Sequence, residues 1–165
     1  MESAPVVYDV CICGAGPCGA TAGYYLARLS QELNNHKLRI GLVDKAKFPR
    51  DKFCGDAWCA PALDILEDMG VLQELEKRGV VSETQVGGFV SPSGHSFIAN
   101  DKGAAEKNMS TRAYAIKRMI CDEAIALKAK TIGCDLIENC LIIDATLDES
   151  KGIWTVRSAD GRQFK

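Results

Sequence analysis

Val6-Val-Tyr-Asp-Val-Cys-Ile-Cys-Gly-Ala-Gly-Pro-Cys-Gly19 is the stretch that decides the fold of this chain. Up to Cys13 it is largely apolar and rich in β-branched residues, the pattern of a buried strand. Glycines follow at 14, 16 and 19, each with its own task. Gly14 lets the chain turn sharply out of the strand. Gly16 has no Cβ, so a ligand can approach the backbone. Gly19 lets the next helix pack close to the strand. Pro17 suits the first helical turn, where its missing N–H is not needed. A helix is expected from about Pro17 to Leu33, leaving through the polar bend Ser30–His36. Leu38-Arg-Ile-Gly-Leu-Val43 reads as a second strand, ended by Asp44. Strand, crossover helix and strand make a βαβ unit with a right-handed connection.

Glycines in this spacing are a weak signal alone. Between a strand and a helix, with an acid closing the second strand, they form the fingerprint of a dinucleotide site. The free amides and the macrodipole of the helix N-terminus favour a pyrophosphate there. Asp44 would accept hydrogen bonds from the adenosine ribose. It comes 25 residues after Gly19, against about 20 in the usual fingerprint, and the bend at Ser30–His36 accounts for the excess.

Beyond Asp44, a loop rich in charge and glycine runs from Lys45 to Asp56. Two short helices follow near Pro61–Met69 and Leu72–Arg78, divided by Gly70. Thr84 to Ile98 has a strand pattern around the turn Ser91-Pro-Ser-Gly94. Asn100 to Asn108 is polar and reads as an exposed loop. A strand at Ala113–Ile116 leads into an amphipathic helix from Arg118 to Ile132, stopped by Gly133. Asp135–Ile137, Leu141–Leu147 and Ile153–Ser158 read as strands, the last two antiparallel. Asp160-Gly161 is a hairpin turn signal, and a third strand after it would be short. The next parallel strand and its helix are expected beside the first strand, bringing the start of the helix at Arg118 to the Gly14–Gly19 edge.

The chain has 165 residues and a net charge of -2, which gives no electrostatic argument for nucleic acid or an anionic surface. No apolar run approaches the roughly 20 residues of a membrane helix, and Met1–Pro5 lacks a basic flank. The expectation is a cytoplasmic protein without a transmembrane segment, with peripheral membrane contact left open. There are eight cysteines, none spaced Cys-x-x-Cys, and two distant histidines, His36 and His95. Reduced thiols are expected, and no metal site is assigned. Cys11 and Cys13 share a strand face and are expected in the core. Trp58 and Trp154 read as core or half-buried packing and His95 as solvated; Arg50 and Lys52 could steer an anionic nicotinamide phosphate, with a solvated charged loop as their plainer reading.

Phe48-Pro-Arg-Asp-Lys-Phe-Cys-Gly-Asp56 and the following Ala60–Gly70 helix resemble the geranylgeranyl reductase family, flavoproteins of the p-hydroxybenzoate hydroxylase-like group. The matching positions are Arg50, Lys52, Cys54, Gly55, Pro61, Ala62 and Leu63. The resemblance resumes at Tyr114–Asp122, where Arg118 and Asp122 match a Tyr-x-x-x-Arg-x-x-Phe-Asp stretch and Cys121 replaces the phenylalanine. It implies that FAD, not NAD, occupies the glycine turn, with Arg118 near it. It also implies hydride passing from NAD(P)H through flavin to an isoprenoid double bond. The cofactor-binding set is then Gly14, Ala15, Gly16, Pro17, Cys18, Gly19, Asp44, Lys45, Cys54, Gly55, Asp56 and Arg118. Cys54 is the one candidate for a catalytic role, and a small residue filling a tight turn is its plainer reading. Two alternatives stay open: a flavin-dependent monooxygenase or halogenase, and a non-catalytic, truncated dinucleotide-binding module.

The expected fold class is α/β. It is a Rossmann-like FAD-binding βαβ domain with a parallel sheet and an antiparallel β excursion, truncated relative to the family. Residues 1–83 and 111–165 would form the incomplete nucleotide domain, and 84–110 the start of a substrate-domain excursion. The family's later Gly-Asp segment and the rest of its substrate sheet have no counterpart in the sequence.

Overall fold

The periodicities described above resolve into a defined run of elements in the structure, a computed structural model that describes residues 5–33, 37–84, 87–99 and 112–165. In chain order these are β1 (Val10–Cys13), α1 (Pro17–Glu32), β2 (Ile40–Val43), β3 (Ala57–Cys59), α2 (Ala60–Asp68), α3 (Val71–Lys77) and β4 (Ser82–Thr84). Then come β5 (Gly87–Val90), β6 (Ser96–Ala99), β7 (Ala113–Ala115), α4 (Arg118–Ile132), β8 (Asp135–Ile137), β9 (Ile142–Asp148), β10 (Ile153–Ser158) and β11 (Gln163–Phe164). The expected loop Asn100–Asn108 and His36 lie outside the described residues. The chain divides into two compact units, one formed by 1–51 with 122–165 and the other by 52–121.

The first unit is built on a parallel sheet in the order β1-β2-β8. Val10 to Cys13 stand opposite Ile40 to Val43, and Gly41 to Val43 opposite Asp135 to Ile137. Successive side chains point to opposite faces, so Ile12 and Leu42 share one face, and Cys11, Cys13 and Val43 the other. Helix α1 covers the first face. Its buried residues, Ala20, Gly23, Tyr24, Ala27 and Ser30, recur at the three-to-four spacing of one helical stripe. A Cβ on Gly23 would lie 3.2 Å from Cys134 Sγ and 3.5 Å from Ile12 Cδ1, so the small residue is what lets α1 sit this close. The opposite face meets the antiparallel sheet β11-β10-β9. There Val156 and Phe164 join Val43 and Cys140 in a buried cluster, against which Tyr8 and Cys11 pack.

The structure corrects the expected place of the next parallel strand: β7, which leads into α4, is antiparallel and belongs to the other unit, and the parallel strand is β8, after α4. β8 pairs with β2, not with β1. The reason is handedness. The end of α4 lies on the same face as α1, since Gln31 Nε2 donates to the Ile132 carbonyl at 2.6 Å. A second right-handed crossover on that face steps onward in the same direction. A strand beside β1 would need its helix on the other face, which β9–β11 occupy. Edge position also corrects the reading of the strand cysteines. Cys11 is only partly buried and Cys13 is exposed, because β1 has a neighbour on one side only among the described residues.

In the second unit β7 lies between β3 and β4, antiparallel to both. Neither β3 nor β4 stood out in the sequence, since three residues carry too little alternation to register. Trp58 is buried at the centre of β3 and its indole N–H donates to the Ile116 carbonyl at 3.1 Å. Helices α2 and α3 bury Leu63, Leu66, Met69, Leu72 and Leu75. Each leucine so enclosed contributes about 1.5–3 kcal/mol relative to exposure. Gly70 divides the two helices with φ of 72°, a left-handed backbone that glycine adopts without strain. β5 and β6 form a hairpin around the Ser91–Gly94 turn, where exposed His95 receives a hydrogen bond from, or donates one to, Ser93.

Candidate functional site

The glycine turn is fixed from both ends. Gly14 adopts φ of +110°, and its amide donates to the Val43 carbonyl at 2.7 Å, so the chain leaves β1 while still held to β2. Gly16 is the N-cap of α1 and Pro17 opens the helix. No side chain caps this end, and no acid stands in the first turn. The first amides of α1 therefore keep their donors for an anion. A Cβ on Gly19 would run into the Gly14 carbonyl, so only glycine allows the helix to start so near the strand. Ala15 is fully buried, Lys45 and Cys18 are exposed.

Asp44 sits at the carboxyl end of β2 and is 5% exposed. Its backbone is tied on both sides, donating to the Ile137 carbonyl and accepting from the Cys140 amide, each at 2.9 Å. Its carboxylate takes the Ala15 amide on Oδ2 at 2.9 Å and the Ala46 amide on Oδ1 at 3.0 Å. A carboxylate offers about four acceptor directions, so Asp44 retains capacity for ribose hydroxyls.

Arg50 is the residue whose role the sequence understated. Its guanidinium is held between two acids, with Nε 3.5 Å from Asp44 Oδ2 and Nη1 3.3 Å from Asp122 Oδ2. Asp122 is completely buried. The side chain of Arg50 is 15% exposed and lies over the Phe48 ring, so the solvated-loop reading does not hold for it. A Cβ on Gly16 would come 3.3 Å from Arg50 Nη2, which places the guanidinium at the bare backbone of the turn. Arg50 Nε is buried with no hydrogen-bond partner. A guanidinium whose Nε is ion-paired with Asp44 but makes no hydrogen bond, beside uncapped helix amides, fits a bound pyrophosphate. Arg50 and Asp122 both lay at positions that matched the family resemblance, and that was the signal available for them.

A second group lies in the other unit. Cys54, Gly55 and Asp56 come together with Arg118. Asp56 has φ of 58°, and its Oδ1 accepts the Arg118 amide at 3.0 Å, capping α4. The Asp56 carbonyl takes the Ile116 amide at 2.9 Å. Cys54 is exposed, and its thiol is held below the usual range by the Asp56 backbone amide and then by the Arg118 guanidinium. Arg118 is partly buried, not a freely solvated helix end. By contrast Cys11 is pushed up to about 12 by burial and by neighbouring Cys13. Among the described residues no group of His, Cys, Asp and Glu is arranged to hold a metal ion. No helix of the described residues is long and apolar enough to cross a membrane.

No family profile matches the chain. Among curated proteins it is 44% identical to conditioned medium factor receptor 1 of Dictyostelium discoideum, over 93% of this chain and 29% of that protein. It is 28% identical to the menaquinone reductase of Mycolicibacterium smegmatis, over 93% of this chain and 34% of the relative. To the digeranylgeranylglycerophospholipid reductase of Methanococcus aeolicus it is 25% identical, over 87% of this chain and 32% of the relative. The chain thus spans about a third of the length of the curated relatives it matches. Among solved structures, the myxobacterial chondrochloren halogenase, an FAD-dependent halogenase, superposes with a TM-score of 0.73 at 21% identity, over 96% of this chain and 35% of its own. A geranylgeranyl bacteriochlorophyll reductase-like protein of Thermoplasma acidophilum gives 0.69 at 20% identity, over 98% of this chain and 37% of its own. The fold is that of the FAD-binding, Rossmann-type flavoproteins, of which this chain represents about a third.

Proposed function

We propose that this chain is the FAD-binding portion of a flavin-dependent oxidoreductase that reduces prenyl double bonds with NAD(P)H as electron donor. The observation that carries the reading is the Ala15–Asp44 hydrogen bond, which joins the glycine turn to the acid of the neighbouring strand. In this reading the amides of Gly16, Cys18 and Gly19 and the Arg50 guanidinium bind the pyrophosphate, with Ala15 and Pro17 shaping the turn. Asp44 orients the adenosine ribose, with Lys45 at the rim. By the family resemblance, Cys54, Gly55 and Asp56 are assigned to cofactor binding as well, and Arg118 to a charge-assisted hydrogen bond with it. FAD would supply two-electron hydride chemistry. The residues of this chain bind and orient it, and Asp122 holds Arg50 in place for that purpose. An isoprenoid substrate accords with the reductase names among the relatives.

A second reading has its own support. The halogenase superposition favours an enzyme that uses reduced flavin to activate oxygen. The receptor name of the Dictyostelium relative favours a dinucleotide-binding module without turnover. One experiment separates the three. The polypeptide carrying this chain is loaded with FAD and given NADPH and a geranylgeranyl substrate, with and without oxygen. Hydrogenated product formed without oxygen supports the prenyl reductase. NADPH oxidation that requires oxygen supports the monooxygenase or halogenase. Bound FAD that NADPH never reduces supports the module.

A further inference from the structure

Three thiols gather on one face of the parallel sheet. Cys11 and Cys13 are two residues apart on β1, so their side chains leave the strand on the same side. Both line one groove of about 490 Å³, together with Tyr8 and Trp154. Cys11 packs against the buried cluster that contains Cys140, while Cys13 is exposed. The thiols of Cys11 and Cys13 are hydrogen-bonded to each other, whereas the Cys140 thiol bonds to the Ser158 side chain. A solvent-accessible thiol beside a second, more protected one is the arrangement of a redox pair. None of the roles assigned to the glycine turn uses either sulfur.

We propose that Cys11 and Cys13 are a peroxide-sensitive dithiol whose disulfide loosens the glycine turn that follows β1. In the first step the Cys13 sulfur attacks hydrogen peroxide. The S–O bond forms, the O–O bond breaks, and the second oxygen leaves as water, giving a sulfenic acid on Cys13. In the second step the Cys11 sulfur attacks the Cys13 sulfur. The S–S bond forms, the S–O bond breaks, and the hydroxyl leaves as water with the Cys11 proton. The two thiols lose two electrons in all, and the peroxide takes them. Cys11, pushed up to about 12 by burial and by Cys13, keeps its proton near neutral pH, so the exposed Cys13 is the thiol that reacts first. A dithiol reductant returns both thiols by exchange. Along an extended strand the two Cα atoms stand about 6.6 Å apart, at the long end of the span of a disulfide. Closing the bridge therefore draws the end of β1 together. Gly14 is the next residue, and its amide holds the Val43 carbonyl at 2.7 Å, so the pull falls on that bond. The bridge acts on the turn whatever the turn binds, and the proposal stands apart from the flavin reading.

The test treats the fully reduced polypeptide carrying this chain with hydrogen peroxide. Remaining thiols are then capped with maleimide in denaturant, and the tryptic peptide Met1–Arg28, which carries Cys11, Cys13 and Cys18, is sequenced by mass spectrometry. The expected result is loss of two hydrogens between Cys11 and Cys13, with a cap on Cys18 alone, reversed by dithiothreitol. Cys11→Ser should stop at the sulfenic acid, trapped on residue 13 by dimedone. Cys13→Ser should leave Cys11 reduced and capped. In the oxidised protein, hydrogen exchange at the Gly14 amide, read by NMR, should quicken at least tenfold. Cys11 and Cys13 both capped after peroxide, or a bridge from Cys13 to Cys140, overturns the proposal. So does a Cys11–Cys13 bridge that leaves Gly14 exchange unchanged, because the turn then does not feel it.

Discussion

The Ala15 amide donates to Asp44 Oδ2 at 2.9 Å, across 29 residues of sequence, inside a buried environment. One hydrogen bond thereby sets the turn that follows β1 against the acid that follows β2. Asp44→Ala leaves the Ala15 and Ala46 amides without this acceptor and Arg50 without one of its two acids. A buried donor left unsatisfied costs about 1–3 kcal/mol. Urea unfolding of Asp44→Ala should show a loss of at least that size, while Asp44→Asn, which keeps an acceptor oxygen, loses less. Equal losses in the two variants would mean that charge, not the hydrogen bond, holds the turn.

Arg50 and Asp122 form the second tie. Asp122 is completely buried with its Oδ2 3.3 Å from Arg50 Nη1. Removing one partner of a buried ion pair costs about 3–5 kcal/mol, because the remaining charge is stranded. Arg50→Met should fall in this range. Arg50→Met combined with Asp122→Leu should be more stable than Arg50→Met alone, as close neighbours couple. Strictly additive losses in the double variant would show that the pair contributes nothing as a pair.

The thiols should titrate apart. Cys54 is lowered by the Asp56 amide and the Arg118 guanidinium, so its thiolate persists to lower pH than that of an ordinary cysteine. Alkylation of Cys54, followed by peptide mass spectrometry from pH 6 to 9, should begin at lower pH than that of a thiol in a short peptide. Arg118→Ala should move the profile toward higher pH. Cys11, pushed up to about 12, should remain unmodified across the range. A Cys54 profile indifferent to Arg118→Ala would leave the backbone amide as the whole cause.

Much of this was legible in the sequence because it rested on local rules. The glycine turn, α1, β2 and Asp44 follow from backbone sterics and from strand and helix periods, and these need no knowledge of the rest of the chain. α4 and β8 were legible for the same reason. Two kinds of feature were not. β3 and β4 are three residues long and exist because β7 lies between them, a pairing that no local pattern announces. The side of the sheet on which β8 falls depends on which face β9–β11 cover, a tertiary fact. Arg50 looked like any loop arginine. Its burial between Asp44 and Asp122 brings together positions 72 residues apart in the sequence, 122 minus 50.

Flavin retention tests whether the turn Gly14–Gly19 holds FAD. The polypeptide carrying this chain is incubated with FAD, passed through gel filtration and read for flavin absorbance, as wild type, Gly16→Val and Arg118→Ala. Gly16→Val is a local change, since the added Cβ meets only the end of the Arg50 side chain at 3.3 Å, and circular dichroism should confirm an intact fold. Flavin should co-elute with the wild type and not with Gly16→Val, and Arg118→Ala should lose about 1.5–3 kcal/mol of binding from one charge-assisted hydrogen bond. Folded Gly16→Val that retains FAD as the wild type does would contradict the FAD assignment.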